Sequence, residues 1–288
     1  MTVRTVRRGA GKIRHEHRFW HAGLLILLVI VLIISIFPYF YLLSTALRPR
    51  NEIFRFPPSW LPHTWAPQNF VDVWRVVALG KWILNSVIVA GCSTILTLVL
   101  AIPAGYALAR LRFPGRAVFR QLLLVTQMFS PAILIIGLFR LMSTAHLTDS
   151  PISLILTYSA LSVAFSTWFL EGYYRSVPEE IEEAAMVDGC SRVGALVRVI
   201  LPAMGPALVA ATVFAFIWAW NDFVIALTFI SSPGNKTLPL GIYSFLGQYM
   251  IEWHFLMAAA LIAVVPVVIL FIAIERWLVK GMTAGAVK

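Results

Sequence analysis

The side chains most able to do chemistry are five carboxylates gathered in one polar segment, residues 174–203 of an otherwise apolar chain. The segment carries five acidic and three basic residues, a balance of −2, whereas the whole chain has a formal net charge of +10. Carboxylates beside small side chains such as Ala184 and Ala185 offer docking points for the arginine or lysine of another protein. The five acidic residues are Glu179, Glu180, Glu182, Glu183 and Asp188.

The same segment has the start and stop signals of two short helices. Ser176 is placed to cap the first helix, and Gly189 supplies a chain reversal after it. Ser191 begins the second helix, which Pro202 ends. Helical spacing predicts that Glu182 shares one face of the first helix with Glu183, and that Ala184 and Ala185 lie on the other face. A helix–turn–helix that docks into a partner and a merely solvated amphipathic hairpin both fit this pattern.

Catalytic motifs are absent from the sequence. It contains no Gly-x-x-x-x-Gly-Lys-Ser/Thr loop, no Gly-x-Ser-x-Gly elbow and no His-Glu-x-x-His pair. Three of the six histidines, His15, His17 and His21, lie in the basic N-terminal tail, residues 1–21. We interpret that tail as solvated or bound to anionic lipid rather than as a metal site. We therefore expect no enzyme activity, no metal site and no cofactor in this chain.

The composition indicates a membrane protein. Hydrophobic residues make up 60% of the 288 residues and charged residues only 12%, which excludes an ordinary soluble domain. Six runs of at least 19 residues contain no Asp, Glu, Lys or Arg, and a spanning helix needs roughly 20 apolar residues. None of the runs alternates as a barrel strand would. We predict an all-α membrane protein with six transmembrane helices, near residues 22–46, 83–109, 118–141, 151–173, 206–230 and 255–278.

The distribution of lysine and arginine orients these helices. Of the 23 basic residues, 16 fall on the side that holds both termini and segment 174–203, and 7 fall on the other side. Because cytoplasmic flanks carry an excess of Lys and Arg, we predict that both termini are cytoplasmic. The same rule explains the positive net charge without a nucleic-acid partner.

Several motifs together carry a family resemblance. Glu183-Ala184-Ala185, Asp188-Gly189 and Ile200-Leu201-Pro202 resemble the EAA loop of permease subunits of binding-protein-dependent ABC importers. Further motifs similar to the carbohydrate-uptake branch of that family are Asn85-Ser86, residues 104–110, Phe113-Pro114-Gly115, Trp220-Asn221-Asp222-Phe223, residues 237–241 and residues 281–288. The resemblance covers roughly residues 25–288 and is closest to the second, six-span permease of maltose-type importers.

The resemblance implies a fold and a set of partners. Residues 22–288 would form the type I ABC importer permease (MetI-like) fold in a prokaryotic plasma (inner) membrane. A second permease subunit, favoured to be a different chain, would complete the pore. A dimer of cytosolic ATPase subunits would bind ATP and Mg, and an extracytoplasmic sugar-binding protein would deliver the substrate. The implied substrate is a sugar, with disaccharides and oligosaccharides favoured.

The resemblance also implies roles for individual residues. Segment 174–203 would be the coupling loop that docks into the ATPase, with Glu183 meeting a basic residue there and Gly189 providing the bend. The implied coupling residues are Glu182, Glu183, Ala184, Ala185, Asp188 and Gly189. Contact with the binding protein is implied for three glycines of the external stretch 231–254, namely Gly234, Gly241 and Gly247.

A sugar pathway needs hydrogen-bonding groups and aromatic faces within the spans. The residues that offer them are Asn85, Gln127, Tyr158, Ser162, Trp218, Asn221 and Asp222. Hydrogen bonding between helices is the alternative role for the small polar side chains. Asp222 differs, because an ionisable group at membrane depth is costly and favours a function. Two other functions stay open: a membrane enzyme that uses Asp222 with external histidines, and a passive channel that conducts without ATP.

Overall fold

The computed structural model describes residues 10–246 and 252–286, and the side chains of residues 23–246 and 252–275. The first half contains α1 Ala10–Ala46, α2 Arg50–Ile53, α3 Asn69–Val76, α4 Leu79–Arg110, α5 Arg116–Thr126 and α6 Pro131–Thr144. The second half contains α7 Pro151–Ser176, α8 Glu179–Val187, α9 Arg192–Ala195, α10 Leu201–Ala203, α11 Gly205–Asn221, α12 Val224–Phe229, α13 Leu238–Tyr243 and α14 Trp253–Ala286. The side chains of the basic tail, and the whole of Gly247, lie outside the described residues.

Four of these helices are long and apolar enough to cross a membrane. They are α4, α7, the Gly23–Ala46 part of α1 and the Trp253–Glu275 part of α14. Two bent pairs can each form one further span: α5 with α6, bent by 102°, and Arg192–Ala203 with α11, bent by 82°. The prediction of an all-α membrane protein is confirmed, with four spans in the described residues, or six when each bent pair counts as one.

The helix predicted over residues 118–141 is interrupted in the structure. α5 ends at Thr126 and α6 begins at Pro131, with Ser130 in an extended conformation at φ −63° and ψ 130°. A proline disfavours the helical conformation of the residue before it and has no N–H to donate. Pro131 therefore keeps Ser130 out of the helical conformation and occupies the first turn of α6.

The helix predicted over residues 206–230 is interrupted as well. α11 ends at Asn221, and Asp222 is extended at φ −67° and ψ 131°. The Asp222 carboxylate accepts hydrogen bonds from the N–H groups of Ile225 at 3.1 Å and Ala226 at 3.2 Å. A side-chain oxygen that caps the next helix in this way competes with continuation of the first one. Asp222 therefore divides the segment into α11 and α12.

Of the described residues, 10–71 form one compact unit together with Glu252–Leu261. Two buried charges order the loop that follows α1. Arg48 donates to the carbonyl oxygen of Ser59 at 2.5 Å. Glu52 accepts from the N–H groups of His63 at 2.6 Å and Thr64 at 3.1 Å. These bonds hold the loop, rich in proline and tryptophan, in an ordered conformation.

The second unit has its core where α4, α7 and α11 pack together. At Gly105, in α4, a Cβ atom would lie only 3.2 Å from the carbonyl oxygen of Thr167 in α7, so the two helices approach backbone to backbone. α11 buries Ala207, Ala211, Ala215 and Ala219, one small residue in every four. Small residues at this spacing allow close helix packing in membranes. The three helices therefore form a tightly packed bundle.

The segment that contains α12 and α13 is fastened to the start of α4. The Asn85 side-chain amide donates to the carbonyl oxygens of Gly234 and Lys236, each at 2.9 Å. The Ser86 hydroxyl accepts from the N–H of Leu238 at 2.7 Å. These contacts satisfy backbone groups that a loop at the end of a bundle would otherwise leave unpaired.

A second fastening comes from Asp149, in the turn before α7. Its carboxylate accepts from the N–H groups of Ser231 at 3.0 Å and Ser232 at 2.9 Å, and from the Ser232 hydroxyl. The hydrogen bonds from Ser232, followed by that from Ser231, hold the pKa of the Asp149 carboxyl below its ordinary value. Asp149 therefore joins the α6–α7 turn to the segment that leads into α13.

Replacing Gly241 by alanine should destabilise the packing of α13 against the start of α4. A Cβ atom at Gly241 would lie 2.1 Å from the ring of Trp82, which is buried at the start of α4. We expect the free energy of unfolding to fall by roughly 1–3 kcal/mol, the usual effect of overpacking. Thermal unfolding of the full chain in detergent measures this change. Gly91→Ala is the matched control, because nothing lies within 4 Å of its added Cβ atom. Equal melting temperatures for the two variants would contradict this packing.

Candidate functional site

The polar loop, residues 174–203, contains the short helix α8. The Ser176 hydroxyl does not cap α8 as predicted; it donates to the carbonyl oxygen of Tyr173, in α7, at 2.7 Å. α8 ends before Gly189, which takes φ +92° in the left-handed region that favours glycine. The Ser191 side chain then accepts from the N–H of Gly194 at 3.1 Å and caps α9. The loop is thus a helix, a reversal and a second helix.

One buried carboxylate joins α8 to the end of α4. Glu182 is 6% exposed and accepts a hydrogen bond from the Tyr106 hydroxyl. The Nε of Arg110 lies 3.2 Å from the second oxygen of Glu182, and only 7% of the Arg110 side chain is exposed. Arg110 also donates to the carbonyl oxygen of Val177 at 2.5 Å, in the link between α7 and α8. We call Tyr106, Arg110 and Glu182 the α4–α8 joint.

The joint corrects the predicted faces of α8. Glu182 and Ala185 are the buried residues of the helix, whereas Ala184 is exposed. The sequence prediction was wrong about Glu182 because the two groups that bury it, Tyr106 and Arg110, lie more than seventy positions earlier in the chain. Both belong to motif 104–110, so the motif was noticed and its contact with α8 was missed.

The opposite side of α8 is open. Glu180, Glu183, Ala184 and Val187 are exposed there, and we call these four residues the docking face. Val187 is 87% exposed and lies beside the exposed Ala184 and Glu183. The other predicted coupling residues, Asp188 and Gly189, are exposed at the end of the helix. The docking face combines carboxylates with apolar side chains, as a protein interface does.

The second limb of the loop is built into the bundle core. A π-helical turn, Leu196–Ile200, follows α9. Its buried residues and their neighbours join a cluster with the rings of Tyr106 and Tyr174, which meet edge to face at 5.8 Å. The buried residues of the limb are Ala195, Leu196, Ile200 and Met204. Both limbs of the loop are therefore attached to the same core.

A separate groove of about 650 Å³ runs along one side of α11. Its lining residues recur every three or four positions, as residues on one helical face do. They are Ala210, Val213, Phe214, Ile217, Trp218 and Asn221. The predicted pathway residues Trp218 and Asn221 thus share one groove.

Two more predicted pathway residues lie next to it. Tyr158 meets Trp218 edge to face at 5.5 Å and donates from its hydroxyl to Asp222 at 2.8 Å. The same oxygen of Asp222, Oδ2, also accepts the hydrogen bonds that cap α12. Tyr158 and Asp222 therefore orient Trp218 and the end of α11.

The remaining predicted residues lie elsewhere. Ser162 is buried in α7, Gln127 is exposed at the break between α5 and α6, and Asn85 is committed to the α12–α13 segment. Gly234 supplies a carbonyl oxygen to Asn85, and Gly241 is buried against Trp82. Among the side chains that the structure describes, no three His, Cys, Asp or Glu residues are grouped to hold a metal ion.

Comparisons with known proteins give the geometry a context. Residues 101–284 match the family described as the inner membrane component of binding-protein-dependent transport systems. The chain is 36% identical over 259 residues to the sulfoquinovosyl glycerol transport system permease protein of Agrobacterium fabrum, covering 90% of this chain and 91% of that one. It is 35% identical over 260 residues to a diacetylchitobiose uptake system permease protein of Streptomyces coelicolor, covering 90% and 94%.

The fold also matches a solved structure. A chain of a bacterial ABC transporter involved in the import of the acidic polysaccharide alginate superimposes with a TM-score of 0.80. The match covers 96% of this chain and 99% of that chain, at 19% sequence identity. The permease fold is therefore the same in both proteins.

Removing the carboxylate of the α4–α8 joint should loosen α8. Glu182→Ala removes the buried carboxylate partner of Arg110 and leaves it only the exposed Glu179, at 3.4 Å. Breaking a buried ion pair costs about 3 kcal/mol or more. We expect the amides of α8 to exchange with deuterium faster by roughly one to two orders of magnitude. Glu183→Ala removes the same group from the docking face and should leave exchange unchanged. Equal exchange rates in the two variants would show that the joint does not hold the helix.

Proposed function

This chain belongs to the family of inner membrane components of binding-protein-dependent transport systems, and we propose that it forms half of the translocation pathway of an ATP-driven sugar importer. It is a transport subunit and not itself an enzyme. Of the relatives named above, one carries a glycoside of glycerol in its name and the other carries the disaccharide diacetylchitobiose. Both names support a sugar derivative as the substrate, and the second supports a di- or oligosaccharide. ATP and Mg would be bound by a partner ATPase.

The observation that carries the proposal is the way α8 is attached to the bundle on one side and exposed on the other. Its inner side is tied to α4 by the α4–α8 joint, and its docking face is open. A helix held in this way suits a coupling element, because force applied to one side is delivered to the bundle through the other. We assign Glu183 to an ion pair with a basic residue of the ATPase, and Ala184 and Val187 to its cleft. Gly189 gives the loop its bend.

The joint modifies the role expected of Glu182 and Ala185. Both residues face the bundle, so we assign them to positioning the helix and not to direct contact with the ATPase. Breaking a buried ion pair costs several kcal/mol. Closure of the two ATPase subunits would therefore move α8 and α4 together and rock the bundle between inward-open and outward-open states.

The groove on α11 is the best candidate for the sugar path on this subunit. A sugar offers hydroxyl groups for hydrogen bonds and a C–H face for aromatic rings. The Asn221 amide bonds only to the Ile217 carbonyl within its own helix among the described contacts, and the side chain is exposed. The second permease would close the open side of the groove.

The partners and the membrane follow from the same proposal. An extracytoplasmic sugar-binding protein would deliver the substrate near the α12–α13 segment, where Gly234 lies. The second permease would be a different chain, and a dimer of ATPase subunits would dock on the cytoplasmic side. The complex would reside in the plasma (inner) membrane of a prokaryote with the termini of this chain in the cytoplasm.

Sugar-stimulated ATP hydrolysis tests the proposal. The complex, reconstituted with its partner permease, ATPase and binding protein, should respond to one member of a panel of di- and oligosaccharides. Glu183→Lys should lower the stimulated rate by more than about tenfold, because a reversed charge at a docked ion pair costs several kcal/mol. Glu275→Lys is the matched control, since it changes an exposed carboxylate outside the loop.

The outcomes separate the two parts of the proposal. Full stimulation in Glu183→Lys would contradict docking through this residue. An intact complex that responds to no sugar would contradict the substrate class and leave the docking assignment in place.

A further inference from the structure

Three arginines come together where α5 begins and α7 ends. Arg116, Arg120 and Arg175 line a hollow of about 500 Å³ together with Phe113, Gly115 and Ala117. No carboxylate belongs to this lining among the residues that the structure describes. We call this space the arginine hollow. Guanidinium groups converging on one space are suited to a phosphate or another oxyanion.

One buried carboxylate partly balances the arginines. Glu171 has a side chain that is 4% exposed, and it pairs with Arg120 and with Arg175, each at 2.7 Å. The two arginine side chains remain 33% and 46% exposed, so both still have N–H groups directed away from Glu171. Among the described residues, Arg116 donates only to the Ala109 carbonyl at 3.3 Å, and its buried Nε has no hydrogen-bond partner there. Three positive charges against one negative charge leave a local excess of two.

An apolar groove continues from the arginine hollow. This second space, also of about 500 Å³, shares Arg120 and Arg175 with the hollow. It extends along α7 between Trp168, Phe169 and Tyr173, and its surface is mainly apolar. Trp168 is 44% exposed and Tyr173 is 43% exposed. A ligand that fits both spaces has an anionic end and a hydrocarbon end.

The two spaces lie at one end of a membrane span. α7 ends at Ser176, which itself lines the groove, and α8 begins at Glu179. On the proposed function, which the inference uses only to choose the leaflet, this end is cytoplasmic. Basic residues at that boundary meet the headgroups of anionic lipids. The N-terminus of α5, which follows Gly115, adds a weak positive field at the same end.

We propose that this surface binds one anionic phospholipid, with its phosphodiester in the arginine hollow and an acyl chain along the apolar groove. A soluble phosphate ester would use the hollow and leave the groove empty. A zwitterionic lipid would bring a cation toward a site that already has an excess of two positive charges. A lipid in this position would contact both α5 and α7, beside the coupling loop.

Lipid binding to the intact transporter complex in detergent tests the proposal by native mass spectrometry. Phosphatidylglycerol should bind more tightly than phosphatidylcholine, and Arg116→Gln should reduce that preference about tenfold, the weight of one charge-assisted hydrogen bond. Glu171→Gln should increase the preference, because it removes the carboxylate that pairs with Arg120 and Arg175. Arg198→Gln, an exposed arginine of the coupling loop, should leave the preference unchanged.

Opposite effects of Arg116→Gln and Glu171→Gln would distinguish lipid binding from a structural role, which would move both variants in the same direction. Equal affinity for the two lipids would overturn the proposal. Displacement of phosphatidylglycerol by millimolar glycerol phosphate would overturn it in favour of a soluble ligand. A cross-link from Trp168 to the second permease, with no bound lipid, would overturn it in favour of a subunit interface. The measurement uses neither sugar nor ATP, so its outcome is independent of the transport assay.

Discussion

A carboxylate buried at the end of a helix bundle determines how the coupling loop is held. Removing the charge of Glu182 from water is costly unless another buried group compensates it. Arg110 and Tyr106 provide that compensation from the end of α4, so α8 has one favoured orientation. That orientation turns Glu183 away from the bundle. Every role proposed for the loop depends on this arrangement.

The α4–α8 joint can transmit a movement of α8, because α4 belongs to a tightly packed bundle. Gly105, next to Tyr106, lets α4 and α7 meet backbone to backbone. The ring of Tyr106 meets Tyr174, and the second limb of the loop packs into the same cluster. A displacement of α8 would therefore reach side chains that already interlock. Such a bundle can rock as a rigid body.

Local signals predicted much of this protein, and long-range pairing limited the rest. The charge-free runs predicted the membrane helices, and Gly189 and Ser191 predicted the reversal and the second cap, because each signal lies within a few residues of its effect. Asn85 was interpreted as a pathway residue although its amide bonds Gly234, 149 positions away. Glu182 was placed on the same face as Glu183 for the same reason: its partners cannot be recognised from the helix that contains it. Motif 104–110 was noticed as a family feature, but only the fold connects it with α8.

The most direct test is a distance measurement across the joint. The two cysteines of the chain are both free: Cys92 lies on α4, and Cys190 lies in the turn that follows α8. Spin labels are attached to both cysteines in a complex whose partner subunits lack cysteine. Pulsed electron paramagnetic resonance spectroscopy then measures the distance between the labels in the nucleotide-free and ATP-trapped states. If α8 and α4 move as one body, the separation stays the same in both states. A change on the order of one helical turn, ~5 Å, would mean that the loop moves without α4 and would contradict coupling through Glu182.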